Sequence, residues 1–456
     1  MADALALGRQ QLDQLLADHR PSLVNAAPGH LTPASRGLFR RSYSVDVARL
    51  LVDVRPLRTS RDFRLLFTGQ LVSLLGSNLT IVAVAYQVYR ITGSSLWVGL
   101  VSFIQLPFLI AGSLWGGALG DRFDRRTLLV GVSGLLGATS LALGLNALGA
   151  RPAFWVLVAM PALAAGLAGL SGPLRTAVIP ALVAPDELVA AFSLNQVIIN
   201  GATVVGPGVA GVLVATTGLA WCYLIDAATF FALVLATWLM HPMPPQGAHE
   251  GLRTLAAIRQ GFRYVRGHPL VQAVYLVDLN AMVFGLPRAL FPAVTAHLYH
   301  GGPETLGLLY ASPGAGALVM AVFTGWMAKV RRRGRLVTLV VLAWGAAMAL
   351  FGVVHVVVVG VLCLAVAGAM DVISTVLRNT ILQTSITDDF RSRVSSIQMA
   401  VVTGGPRLGD LESGAVASLS STEFSIVSGG LLCIVGVLAL LRWRPHFWRE
   451  TTLVDP

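Results

Sequence analysis

The strongest constraint on the fold of this chain is a pair of long apolar runs without a single Asp, Glu, Lys or Arg. They cover residues 91–120 and 127–150, and a short, densely charged segment separates them. A helix of about twenty such residues rises roughly 30 Å, which matches the hydrocarbon core of a bilayer. Two membrane-spanning helices joined by a tight loop are therefore predicted. Charged residues make up only 12% of the chain, about half of their share in soluble domains, so the same interpretation extends to the full length.

Apolar runs bounded by charges predict twelve spans in two sets of six. The first set lies near residues 65–89, 96–119, 127–149, 153–173, 188–216 and 219–240, and the second near 270–298, 305–328, 336–356, 359–380, 394–418 and 424–441. We therefore expect an all-α membrane protein with twelve transmembrane helices in two pseudo-symmetric six-helix bundles. Basic residues concentrate on the cytoplasmic side of membrane proteins. With both termini in the cytoplasm, only Arg90 and Arg151 fall in outside loops, which predicts a multi-pass protein of the cytoplasmic membrane.

The spans divide the chain into five segments. Residues 1–60 are expected to form a largely disordered cytoplasmic extension, with one short interfacial helix over 45–54. The first bundle follows over 61–240 and the second over 270–442. Between them, 241–269 is predicted as a cytoplasmic linker whose middle, near 252–265, forms an amphipathic helix on the membrane surface. Residues 443–456 are expected to be a cytoplasmic tail.

The two sets of spans echo each other in sequence. At an offset of 208, residues 95–100 align with 303–308, and Gly117 aligns with Gly325. At an offset of 203, Leu174-Arg175 matches Leu377-Arg378, and the Gly-Pro run at 206–211 is faintly echoed at 405–409. Four matches in the same order predict two parallel repeats, an architecture in which a substrate path lies at the interface between the repeats.

The sequence lacks the residues and motifs that several classes of protein require for their function. The net charge of +11 comes mainly from cations between apolar runs, without a basic stripe of interleaved aromatic residues, so we expect no nucleic acid. Cys222, Cys363 and Cys433 stand alone in apolar segments, which favours packing roles over disulfides or zinc. No phosphate-binding loop, H-E-x-x-H or G-x-S-x-G motif occurs. We expect neither an enzyme nor a bound cofactor or metal.

The charged loop between the second and third spans carries the pattern G-x-L-G-D-R-x-x-R-R. This pattern resembles the corresponding loop of major facilitator superfamily transporters, in which the acid is held by a neighbouring helix N-terminus and arginines when the protein faces outward. The resemblance implies a conformational gating role for Gly117, Asp121, Arg122, Arg125 and Arg126. Asp124 replaces the usual glycine before the arginine pair. The alternative is that these charges only fix the topology.

A second motif lies in the fifth span, where Gly201, Gly206, Pro207 and Gly211 are spaced as in the glycine-proline motif of the exporter branch of that superfamily. The glycines would allow close helix approach, and the proline would bend the helix. Such a helix is expected to seal one side of the protein against leak, which favours export. Ordinary small-residue packing is the alternative.

Charges at membrane depth are costly and usually face a partner or a water-filled path. The charged candidates for a proton or substrate site are Asp226, Asp278, Arg288, Arg407, Asp410 and Glu412, and the polar candidates include Asn78 and Asn195. Asp278 and Glu412 are our candidate proton carriers, and static ion pairs with Arg288 or Arg407 are the competing interpretation. Arg407 and Asp410 share a helix face and are expected to pair, as are Asp371 and Arg378. The fourth span, taken as 154–172, has no arginine.

The resemblance to this superfamily covers roughly residues 60–445 and is closest to bacterial transporters of the enterobactin-exporter-like group, through the stretches 61–67, 261–266 and 286–292. It implies a secondary transporter that exports small amphipathic molecules of drug or siderophore type by alternating access, as a proton antiporter. The expected partners are a small-molecule substrate, protons and membrane lipids, and the chain is expected to be a monomer. An uptake facilitator for a polar metabolite and a non-transporting scaffold or receptor are the alternatives.

Overall fold

The structure is a computed structural model that describes residues 53–120, 122–244, 263–386 and 388–449. Within these residues the regular elements are helices, and no strand occurs. Three features of the sequence set the helix ends. Ser60 and Ser421 each begin a helix by accepting a hydrogen bond, at 3.1 Å, from the backbone N–H three residues later. Gly93 ends the first long helix in a left-handed conformation (φ 60°), which glycine adopts without steric cost.

The long helices are α1 (Arg61–Thr92), α2 (Ser95–Gly120), α3 (Arg125–Leu148), α4 (Phe154–Leu182), α5 (Leu188–Thr216), α6 (Leu219–Trp238), α7 (Pro269–Phe284), α8 (Pro303–Val322), α9 (Arg333–Val353), α10 (Val357–Ser385), α11 (Asp388–Leu419) and α12 (Thr422–Trp443). By length and composition, eleven candidate membrane spans lie in the described part of the chain, and one of them combines α7 with the short segments up to Leu298. The helix outside this set is α11, whose 32 residues are long enough to span but carry many charges. The count of twelve spans therefore stays a prediction.

The two halves of the chain repeat the same helix packing. In the first half α1 contacts α5 and α6, α2 contacts α4, and α3 contacts α4 and α6. The second half shows the same pairs six helices later, with α7 on α11 and α12, α8 on α10, and α9 on α10 and α12. The halves meet mainly where α2 packs on α11 and α5 packs on α8. This arrangement agrees with the predicted pseudo-symmetric repeats.

Glycines fix the register between the repeats. An added Cβ on Gly211 would lie 2.7 Å from the carbonyl oxygen of Pro303, and one on Gly414 would lie 2.6 Å from that of Ser95. Both glycines are therefore required for close backbone approach between the halves. These two contacts are related by offsets of 203 on one helix and 208 on the other, as the sequence repeats predict.

Two glycines of α11 pack where a counterpart of Gly206 is expected. Gly206 packs on Asn78 of α1, and both Gly405, the predicted match, and Gly409 pack on Met282 of α7. An offset of 203, which relates the other contacts of these helices, pairs Gly206 with Gly409.

The seventh span is interrupted in the middle. The helix α7 ends at Phe284, and Arg288–Leu290, Phe291–Ala293 and Val294–Leu298 follow as a 3-10 turn, an α-helical turn and a π-helical turn. The indole N–H of Trp344 donates to the carbonyl oxygen of Gly285 at 2.6 Å, which satisfies a backbone group freed by the break. The break lies directly before Pro287, whose ring nitrogen has no N–H to donate to a continuing helix.

Each end of the described chain forms a short helix. Residues Arg55–Thr59, predicted as part of a disordered extension, form a short helix because Pro56 is buried and the Thr59 hydroxyl donates to Glu187 at 2.9 Å. After α12, Pro445–Arg449 form another short helix, with Phe447 buried. Residues 263–267 are helical, whereas the expected helix over 45–54, most of the helix expected over 252–265 and the end of the tail fall outside the described residues.

Candidate functional site

A cavity of about 430 Å³ lies at the interface between the two halves. It is lined by α1, α2, α3, α4 and α6 of the first half and by residues of the broken seventh span, α8 and α11 of the second half. On α1 the lining extends from Ser73 to Val88, which corresponds to roughly 20 Å along a helix. Most lining side chains are aliphatic, and Phe230 and Tyr310 add two aromatic rings. The cavity can therefore accommodate a largely apolar organic molecule.

Asp226 on α6 is one of two acids that line this cavity. Its side chain accepts hydrogen bonds from the hydroxyls of Thr80 on α1 and Ser140 on α3, both at 2.7 Å on the same oxygen. The other carboxylate oxygen has no hydrogen-bond partner, although the residue is only 1% exposed. Gly76 of α1 makes room for this acid, because a Cβ there would lie 2.7 Å from that second oxygen.

Asp410 on α11 is the second acid, and it joins the two halves. One carboxylate oxygen accepts a hydrogen bond from the Ser102 hydroxyl of α2 at 2.6 Å, and the other accepts one from the backbone N–H of Ala289 at 3.0 Å. Ala289 belongs to the turn that follows the break in the seventh span. Arg288 and Arg407 line the same part of the cavity. The expected Arg407–Asp410 ion pair is not formed, because Arg407 donates instead to the Thr403 carbonyl at 2.9 Å.

Arg175 is a cavity residue that sequence reasoning missed. We expected no arginine in the fourth span because its apolar run was ended near residue 173, but α4 continues to Leu182 and places Arg175 in the cavity wall. The internal prolines at 173 and 180 do not end the helix. The repeat match with Arg378 was the sequence signal that could have identified Arg175 as a buried position.

Asp278 lies elsewhere, in an ion pair with Arg378 of α10. Their nearest atoms are 2.8 Å apart, and the side chains are 3% and 2% exposed. Neither residue lines the cavity. Asp371, the partner expected for Arg378, is linked to it only through Thr375. The Thr375 hydroxyl donates a hydrogen bond to Asp371 at 3.3 Å and accepts one from Arg378 at 3.1 Å. The geometry thus joins Asp278, not Asp371, directly to this arginine.

The remaining polar candidates are not part of the cavity wall. Asn78 donates to the carbonyl of Leu74 on its own helix at 2.8 Å, while Asn195 and Glu412 are half-buried and make no hydrogen bond within the described part of the chain. None of the three lines the cavity. Cys222, Cys363 and Cys433 are buried and free, in agreement with packing roles.

The glycine-proline motif lies at the contact between the halves. Gly211 packs on Pro303, Glu304 and Gly307 of α8. Gly206 packs on α1, and Pro207 lies within α5 without ending it. Gly201 has no atom within 4 Å of an added Cβ, so close packing does not explain this residue.

The charged loop joins α2 and α3 to the ends of two other helices. Arg125 donates to the Ala177 carbonyl of α4 at 3.1 Å, and Arg126 donates to the Trp238 carbonyl at the end of α6. Arg122 is exposed and Gly117 lies in the last turns of α2, whereas Asp121 falls outside the described residues.

Asp124, which departs from the family pattern, has a defined role in this loop. Its carboxylate accepts from the backbone N–H of Thr127 at 2.8 Å, which caps α3, and from that of Met243 at 2.6 Å. Partial burial opposes ionisation of Asp124, but these hydrogen bonds outweigh it and hold the pKa of the carboxyl below its ordinary value.

The chain is similar to known proteins over most of its length. Residues 53–454 match the model of the family described as transmembrane secretion effector, within the major facilitator superfamily. The enterobactin exporter EntS of Shigella boydii is 31% identical over 394 residues, which cover 86% of this chain and 94% of that protein. The EntS protein of Citrobacter koseri shows the same identity and coverage.

Solved structures with the same fold are more distant in sequence. A crystal structure of the peptide transporter POT with sulfate has a TM-score of 0.66 at 14% identity, over 86% of this chain and 96% of that one. The nucleoside transporter NupG has a TM-score of 0.65 at 13% identity, over 83% of this chain and 99% of that one. With the repeated helix packing and the interfacial cavity, these matches lead to one conclusion: the chain belongs to the transmembrane secretion effector family of the major facilitator superfamily.

Proposed function

We propose that this protein is a secondary transporter that exports small amphipathic organic molecules across the cytoplasmic membrane by alternating access, in exchange for protons. The observation that carries the proposal is the interfacial cavity of about 430 Å³, with a mainly aliphatic wall and a few charged side chains. The EntS relatives are enterobactin exporters, which supports export as the direction of transport. The wall also carries hydroxyl and amide side chains, including Ser73, Thr80 and Gln105, so the preference for export over the uptake alternative rests on the relatives and not on the composition of the wall.

The contacts between the halves support alternating access. The Gly211–Pro303 and Gly414–Ser95 contacts lie where α5 and α11 end and where α2 and α8 begin. In the predicted topology, with α11 as the eleventh of twelve spans, this is the outer end of the protein. The arrangement therefore corresponds to a state that is closed outside, and the structural neighbour described as a bacterial homolog of the lysosomal transporter Spinster is described as inward-facing. Rocking of the halves about the cavity would separate these glycine contacts.

Proton exchange needs an acid that contacts both the cavity and a moving part, and Asp410 meets this requirement. Its carboxylate is hydrogen-bonded to Ser102 of one half and to Ala289 of the other. A charged acceptor binds such donors about twice as strongly as a neutral one. Protonation of Asp410 would therefore weaken the contact between the halves. Asp226 is the second cavity acid, whereas Asp278 is bound to Arg378 away from the cavity.

Transport in inside-out membrane vesicles tests this proposal. With a proton gradient imposed, vesicles that contain the protein should accumulate at least one dye of an amphipathic panel. Asp410→Asn should reduce this accumulation about tenfold or more, as expected for loss of a proton-transfer group. Glu412→Gln is the matched control, because Glu412 lies on the same helix and does not line the cavity. Movement of dye out of the vesicles, or no movement despite confirmed insertion, would contradict the proposal.

A further inference from the structure

Three arginines line the cavity, and the acids beside them are already engaged. The cations are Arg175 of α4, Arg288 of the broken span and Arg407 of α11, against Asp226 and Asp410. Within the described residues no carboxylate lies within ion-pair distance of any of the three arginines. The cavity therefore holds an excess of one positive charge when all five groups are ionised, and its guanidinium groups lack carboxylate partners.

The hydrogen bonds that both acids accept come from hydroxyl and backbone donors and not from guanidinium groups, and one oxygen of Asp226 accepts none. Asp226 accepts from Thr80 and Ser140 on a single oxygen. Asp410 accepts from Ser102 and from the backbone of Ala289, one on each oxygen. Since these contacts are 2.6 to 3.0 Å long, the acids are oriented toward the protein framework.

The repeat shows that the unpaired state of Arg175 is particular to this half. Arg175 corresponds to Arg378 in the second half at an offset of 203. Arg378 is neutralised by Asp278 of α7 at 2.8 Å. The corresponding turn of α1, residues 70–75, contains no acid and instead lines the cavity with Ser73 and Leu74. Of these two equivalent arginines, Arg378 is thus paired inside the second bundle, and Arg175 lies unpaired at the cavity in the first.

Arg407 also lacks a carboxylate within ion-pair distance. Only one of its nitrogen atoms donates, to the Thr403 carbonyl at 2.9 Å, and its Nε atom is buried without a hydrogen-bond partner. Arg288 and Asp410 are both close enough for their charges to interact with that of Arg407, and Asp410 interacts with both arginines. One carboxylate therefore faces two cations, and the second positive charge at membrane depth is unfavourable without a further anion. An anionic group of a ligand would offset this cost.

We infer that the exported substrate is an organic acid: an apolar body that carries at least one anionic group, which binds to Arg175 or to the Arg288–Arg407 pair. This inference rests on the proposed function and specifies its substrate class. Guanidinium groups bind carboxylate, sulfonate and related groups through two parallel hydrogen bonds. The aliphatic wall and the rings of Phe230 and Tyr310 would receive the apolar body.

A matched pair of probes tests the inference. Anilinonaphthalene sulfonate and phenylnaphthylamine share one aromatic body and differ by a sulfonate. Saturable binding to the purified full chain in nanodiscs of neutral lipid is measured through quenching of tryptophan fluorescence. We expect the sulfonate to bind at least tenfold more tightly than the neutral probe. At least one of the variants Arg175→Gln and Arg407→Gln should weaken sulfonate binding about tenfold, as for loss of a charge-assisted hydrogen bond.

The controls separate this inference from the proposed function. Arg151→Gln removes an exposed arginine outside the cavity and should change neither affinity. The affinity of the neutral probe should be unchanged in Arg175→Gln, which also reports that this variant is folded. Binding or transport of the neutral probe alone would overturn the inference and leave the proposed function intact, whereas failure of both probes to bind and to be transported would contradict both.

Two further outcomes would overturn the inference. If Arg175→Gln and Arg407→Gln abolish proton-driven transport but both leave the sulfonate affinity unchanged, these arginines serve coupling and not anion binding. If anionic phosphatidylglycerol in the nanodisc displaces the sulfonate at the Arg175 site, a lipid phosphate and not a water-soluble acid is the occupant.

Discussion

The buried ion pair between Asp278 and Arg378 gives the sharpest test of how this bundle is stabilised. Its nearest atoms are 2.8 Å apart, and both side chains are almost fully buried. Replacing Asp278 with Asn would leave the guanidinium without its counter-ion, and breaking such a pair costs about 3–5 kcal/mol. Asp371 remains linked to Arg378 through Thr375 and partly compensates. We therefore expect a loss near the lower end of this range, about 3 kcal/mol.

The partner substitution gives the matched measurement. Arg378→Leu should be at least as destabilising as Asp278→Asn, since it leaves Asp278 without a counter-ion. The double replacement Asp278→Leu/Arg378→Leu should be close to the wild type or above it, because apolar pairs of similar volume replace buried ion pairs at little cost. With Asp278→Leu and Arg378→Leu as the single variants, a double-mutant cycle from equilibrium unfolding in mixed micelles isolates the pairwise term.

Transport measurements on the same proteins complete the test. The double variant should retain pH-dependent substrate flux in proteoliposomes, because neither residue lines the cavity. The structural assignment would be refuted if Asp278→Asn were as stable as the wild type and had lost proton-coupled transport. That result would return Asp278 to the role of proton carrier expected from its position in the sequence.

Two other predictions concern the ends of the protein. Gly211→Val should weaken the contact between the halves at the closed end, since an added Cβ would lie 2.7 Å from a backbone oxygen of Pro303. We expect faster maleimide labelling of the variant Ser95→Cys in this background. The matched Gly208→Val, with open space around its Cβ, should leave the labelling rate unchanged. Asp124→Ala should destabilise the protein by about 1–2 kcal/mol at neutral pH through loss of the α3 cap. Because the pKa of Asp124 is lowered in the folded state, this difference should be full above the unfolded pKa of about 3.9 and shrink as the pH falls through the folded value. Melting temperatures of both proteins at pH 7 and at acidic pH check the sign, and an unchanged difference would contradict it.

Much of the fold follows from the amino-acid order alone. Apolar runs of spanning length and the offsets of 203 and 208 predicted the helices and the repeat, and eleven candidate spans and the repeated packing agree with them. Glycine-proline spacing in the fifth span likewise placed a close helix contact near Gly211. These features are local or periodic, so they can be recognised without knowledge of the neighbouring helices.

The candidate site was less predictable. Asp278 was favoured over Asp410 because Asp410 was expected to pair with Arg407 on the same helix face. The sequence does not specify which side chains of other helices lie beside each carboxylate. Arg175 was left outside the fourth span because the predicted span ended near residue 173, whereas α4 continues past Pro173 and Pro180. Asp124 was regarded as a departure from a pattern, and its partner Met243 lies 119 residues away.

The sequence by itself determined that the chain lies in a membrane as repeated helices. The reason is that unpaired backbone groups and charges are costly in the hydrocarbon core, so long apolar segments without charges span it as helices. Only the tertiary structure decided which charges are neutralised inside a bundle and which face the cavity. The reason is that an ion pair depends on the separation of two side chains from different helices. Arg175 and Arg378 occupy equivalent positions in sequence, and the presence of Asp278 beside only one of them sets their different surroundings.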